Sequence, residues 1–101
     1  MLTFNLKKEW FEKIKSGKKT HEYRKIKPYW DKRLYKQWQK YKGKVPCCFA
    51  CGYPKKDDKE KRIYGYITKI TSVYGRHTDL KIEEPVFDIE FELIKEVNDE
   101  I

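Results

Sequence analysis

The chain has 101 residues, of which 39% are apolar and 40% charged, and its formal net charge is +8. That length allows one domain over residues 1–101 with one modest core. No run approaches the roughly 18 apolar residues that a bilayer crossing needs, so no membrane partner is expected.

The start, Met1-Leu2-Thr3-Phe4-Asn5-Leu6, lacks the basic flank and long apolar stretch of a secretion signal. Three cysteines crowded into Cys47-Cys48-Phe49-Ala50-Cys51 make no disulfide framework and suit a reducing compartment. A soluble, cytoplasmic protein is therefore expected. Aromatic residues at 16% offset the low apolar share, because each buried ring removes a large area from water. The charge is uneven. Residues 1–44 carry 15 Lys and Arg against 4 Asp and Glu, whereas residues 45–101 carry 9 against 12. A basic half beside a slightly acidic one implies a positive face, which suits a polyanion or simply keeps the protein soluble.

In chain order, Leu2, Phe4 and Leu6 alternate with polar residues and predict a half-buried strand. Over residues 7–16 the period changes. Trp10, Phe11 and Ile14 among lysines and glutamates predict a short amphipathic helix, closed by Ser16-Gly17. Thr20 to Ile26 reads as a strand, with Thr20, Glu22, Arg24 and Ile26 on one face and His21, Tyr23 and Lys25 on the other. Pro28 stops it. Trp30, Leu34, Trp38 and Tyr41 then form a helical stripe from Trp30 to Lys42, with Gly43 at its end.

Val45 to Tyr53 reads as a buried strand, and residues 54–62 as an exposed hairpin loop. Ile63 to Tyr74 is β-rich, with Gly65 at an expected bulge or bend. Gly75 to Pro85 reads as a loop. Phe87, Ile89, Phe91 and Leu93 alternate with acids in a last strand, and the tail Asn98-Asp99-Glu100-Ile101 is expected to fray. The order β-α-β-α-β-β-β predicts an α+β, mainly β fold: a small barrel or strongly curved sheet with two short helices, not a doubly wound parallel sheet.

Site chemistry concentrates between Gly17 and Arg33. Glu22 and Arg24, two apart on a strand, share a face, and Lys19 at the preceding turn reaches the same space. Paired with both cations, Glu22 orients them for a phosphate; otherwise it accepts from the exocyclic amine of a base. A structural ion pair on a barrel rim uses the same residues. Tyr29, Trp30 and Arg33 place flat rings beside a cation, as single-strand binders do, although Trp30 also fits the core stripe of its helix. Lys32, Lys36, Lys40, Lys42 and Lys44 make either a phosphate-facing ridge or a solvated face. The step from Cys48 to Cys51 has a C-x-x-C spacing, but a tetrahedral site needs four ligands, and Cys47 and Cys48 point to opposite faces of a strand. Neither a metal nor a cofactor is expected.

The segment Gly17-x-Lys19-x-x-Glu22-x-Arg24 resembles the signature of the ASCH domain family, one of the PUA-like group of small β-barrels. The upstream Trp10-Phe11-Glu12-Lys13-Ile14-Lys15-Ser16-Gly17 and the downstream Lys27-Pro28-Tyr29-Trp30 and Arg33-Leu34 extend the likeness to its short single-domain members, with a weaker echo in Phe49-Ala50-Cys51-Gly52-Tyr53. The resemblance implies a PUA-like barrel whose cleft binds RNA or a nucleotide, with Gly17, Lys19, Glu22, Arg24, Tyr29, Trp30 and Arg33 as ligand-binding residues. Some small members are amidohydrolases on acetylated cytidine, and ribonuclease activity is attributed to others. An enzyme would use Lys19 and Glu22. The amidohydrolase branch carries Thr at the position of Glu22, and a hydroxyl and a carboxylate do different work. The oligomeric state is left open by the sequence.

Overall fold

Alternation sets the first strand, β1 (Leu2–Leu6), which buries Leu2, Phe4 and Leu6 and exposes Thr3 and Asn5. The computed structural model describes residues 1–94; the expected fraying of residues 98–101 lies outside them. Helix α1 (Lys8–Lys15) buries Phe11 and Ile14, the two apolar residues that face the sheet. Gly17, at φ 83°, turns the chain in a conformation that side chains with a Cβ resist, and β2 (His21–Lys25) follows. Pro28 does more than stop that strand. It is an early residue of α2 (Pro28–Tyr41), where a missing N–H costs nothing, so the helix begins two residues before the predicted Trp30. Lys42 caps α2 in the left-handed region and Gly43 follows at φ 105°. Of the predicted stripe, Leu34 is buried, Trp30 and Trp38 are half-buried, and Tyr41 stays exposed.

Strands β3 (Val45–Cys51), β4 (Arg62–Tyr74) and β5 (Pro85–Leu93) complete the predicted order. They form one mixed sheet in the order β1-β3-β4-β5-β2, in which only β1 and β3 run parallel. The fold is α+β and mainly β, and the sheet curls into a half-barrel. Its edges are β1 and β2, the first two strands of the chain. Curling brings these edges within reach of one side chain: Arg24 on β2 donates to the Asn5 carbonyl on β1 at 3.2 Å. The core rings bind the inner layers together. Phe4 stacks between Trp30 and Phe49, and Phe49 tilts against Phe91 with centroids 4.4 Å apart. Cys47 belongs to this core, and burial pushes its thiol up to about 12, so it is not a thiolate at neutral pH. Among the described residues no helix is long and apolar enough to cross a membrane.

The irregularity expected at Gly65 lies instead between Ile67 and Lys69, where Thr68 is the extra residue against β5. Gly65 answers a different need. A Cβ there would collide with the backbone carbonyl of Glu92 on the neighbouring strand. Substituting Gly65→Ala is expected to cost about 2 kcal/mol, read as a lower urea midpoint with unchanged slope.

Candidate ligand cleft at the open seam of the sheet

Register fixes which side chains face the seam. Glu22 pairs with Ile89 and Arg24 with Phe87, both part of the packed interior, so Glu22 and Arg24 point to the concave side. His21 and Tyr23 fall on the opposite face beside Glu90 and Asp88. This is the face assignment that the two-residue period predicts.

The Glu22 carboxylate is almost fully buried, at 5% exposure. Its Oε2 accepts from Arg24 Nε at 2.8 Å and lies 2.7 Å from Nη2, while Oε1 lies 3.5 Å from Lys19 Nζ. Burial pushes this carboxyl above its ordinary 4.5, against the pull of Arg24 and Lys19. Between 4.5 and the raised folded value the native state holds more protons than the unfolded one, so the Glu22 contribution falls as pH rises. Subtracting the urea stability of Glu22→Gln from that of the parent, across that window, should expose a downward slope with pH.

Lys19 is enclosed as well. Its ammonium pairs with Asp79, lies 5.0 Å from the Tyr23 ring centroid and 5.7 Å from that of Trp10, and its side chain is only 8% exposed. Arg24 lies over Phe4 and Trp30, 5.3 and 5.1 Å from their ring centroids. Two cations and two carboxylates thus alternate as Asp79, Lys19, Glu22 and Arg24 along the floor of the seam.

Above that floor is a cleft of about 480 Å³, within the range of small-ligand sites. Trp10, Tyr23 and Trp30 contribute its aromatic wall, and Lys7, Lys25 and Lys27 its rim. None of these three lysines forms a salt bridge among the described residues, so their charge is available to an anion. A second hollow of about 290 Å³ shares Trp10, Tyr23 and Asp79 with the first and adds Lys13, Lys18, Lys19, Thr20 and His21, so Lys19 lines this hollow and not the larger cleft. His21 Nδ1 lies 2.6 Å from Asp88 Oδ1, which orients the ring.

The predicted site residues separate into four groups. Lys19, Glu22 and Arg24 converge. Trp30 lines the cleft while stacking on Phe4, so it serves core and wall together. Tyr29 and Arg33 sit outside the cavity beside Trp30: Tyr29 meets the Trp30 ring edge-on at 5.1 Å, and the Arg33 guanidinium covers the Tyr29 ring at 4.0 Å. Tyr29 is 56% exposed, but one side of its ring is occupied by Arg33. Gly17 contributes its turn and does not line the cleft. The sequence reading missed Asp79, the Asn5 carbonyl, and the three rim lysines. Only the rim lysines left a trace, in the basic front half. No group of three or more His, Cys, Asp or Glu positioned to hold a metal occurs among the described residues. Compared with family models, curated proteins and solved structures, the chain finds no match.

Proposed function

We propose that the chain is an ASCH domain of PUA-like barrel type that binds RNA or a nucleotide in the cleft between β1 and β2. One observation carries this reading. The signature residues Lys19, Glu22 and Arg24 meet at the open seam of a curled sheet, beneath an aromatic wall and a rim of lysines without salt bridges among the described residues. Phosphates would lie on Lys7, Lys25, Lys27 and Arg24, where counterion release favours binding. A base would stack on Trp30 or Tyr23, since stacking accepts any base. Glu22 orients Arg24 and Lys19 for that ligand. When Glu22 takes a proton, the seam gains a positive charge.

A salt series with labelled single-stranded RNA, duplex DNA and free nucleotides tests the reading. Single-strand binding with a steep salt slope supports it, and failure of all three ligands to bind removes it.

A second reading, a small hydrolase on a modified nucleoside or on RNA, is favoured by a buried carboxyl with a raised pKa 3.5 Å from the half-buried Lys19. Product formation that Glu22→Gln abolishes while binding persists would select it. No turnover on a panel of nucleosides and RNA would reject it.

A further inference from the structure

The convex side of the sheet carries features that the cleft does not use. Arg62, Tyr64 and Tyr66 alternate along β4, so all three project to one face. β4 lies between β3 and β5, which makes this face a platform inside the sheet and not an edge. Tyr64 and Tyr66 are 44% and 38% exposed. Their neighbours across β3 are Cys48 and Pro46, side chains too small to cover the rings.

Cations frame the platform. Lys44 Nζ lies 5.9 Å from the Tyr66 ring centroid. Beside Tyr64 is a groove of about 420 Å³ to which Lys15, Lys59 and Arg62 bring three positive charges against the one carboxylate of Glu60. Arg62 is poorly satisfied. Its Nη2 donates to the Pro54 carbonyl, its Nη1 reaches only the weak acceptor Cys48 Sγ at 3.8 Å, and its buried Nε finds no acceptor among the described residues. The buried Nε is out of a ligand's reach, whereas Nη1, held only by a weak acceptor, is the donor that an oxyanion can take. Glu92, cross-strand from Tyr66, shares this face with Glu90 and Asp88 further along β5. These carboxylates direct a polyanion toward the Arg62 side of the platform.

We infer that this convex face is a second binding surface for single-stranded RNA, with bases stacked on Tyr64 and Tyr66 and phosphates on Arg62, Lys44 and the lysines of the groove. The inference rests on the RNA reading above and extends it from one cleft to a strand that meets both faces. Two aromatic rings two residues apart on a strand, flanked by cations, match how single strands are held without sequence reading.

The test uses a labelled single-stranded RNA of roughly 12 nucleotides, long enough for both surfaces. The variant Tyr64→Ala/Tyr66→Ala should lose about tenfold or more in affinity. Tyr64→Phe/Tyr66→Phe should bind like the parent, because stacking needs the ring and not the hydroxyl. A mononucleotide, which fills only the cleft, should bind the parent and the double alanine variant equally. Unchanged oligomer affinity in the folded double alanine variant overturns the platform and leaves the cleft standing. Unchanged oligomer affinity in the folded cleft variant Lys19→Ala/Arg24→Ala, with loss in the tyrosine variant, overturns the cleft reading instead. An equal loss in the phenylalanine and alanine variants also overturns stacking.

Discussion

Replacing Glu22 by alanine should lower the stability of the fold by about 3 kcal/mol, because it strands two partly buried cations. Arg24 loses both of its carboxylate contacts, at 2.8 and 2.7 Å, and Lys19 keeps only Asp79. The remaining charges are poorly hydrated, since the Lys19 side chain is 8% exposed and that of Arg24 21%. Removing one partner from such a pair costs more than the pair itself contributes, as the survivor's desolvation is no longer offset. A double-mutant cycle in urea checks the mechanism. Glu22→Ala/Arg24→Leu should be more stable than the sum of the two single effects implies, with a coupling of about 1 kcal/mol or more. Additive losses would mean that the carboxylate and guanidinium act independently.

The second large effect concerns affinity. Lys19→Ala/Arg24→Ala should weaken binding of single-stranded RNA by about a hundredfold, through loss of the Arg24 phosphate contact and of the Lys19 charge that, with Arg24, offsets Glu22 at the seam. Each lost phosphate contact should also flatten the plot of log affinity against log salt by about 0.7. These two readouts separate ligand contact from simple charge. Lys36→Ala/Lys40→Ala, on the exposed side of α2, removes the same formal charge far from the signature residues and should change affinity only weakly. Equal losses in both double variants would point to diffuse attraction by the basic half of the chain.

Much of the site was legible because it is local. A two-residue period places Glu22 beside Arg24, and the glycine turn returns Lys19 to them, so the eight residues from Gly17 to Arg24 encode most of the floor. Asp79 was not legible. It is 60 residues from Lys19 in an irregular loop, and no periodicity marks its approach. The Asn5 carbonyl is backbone, which carries no residue signal at all. Pro28 was ambiguous for a physical reason: proline both ends strands and suits the first turn of helices. The bulge at Thr68 depends on register between β4 and β5, whereas Gly65 drew attention only because it lacks a side chain. The face of Trp30 was also undecided from spacing. Its ring proves to be shared between the Phe4 stack and the cleft wall, because the first turn of α2 sets it beside β1 at the seam.

RNA and nucleotides are expected to enter the seam between β1 and β2. Titrating isotope-labelled protein with single-stranded RNA and with a mononucleotide, and following backbone amide, arginine Nε and tryptophan indole resonances, reads that location directly. Both ligands should shift Arg24 Nε, the Trp30 and Trp10 indoles and the amides of Lys7, Tyr23 and Lys25. If neither ligand moves those signals while others respond, the seam is not the binding site.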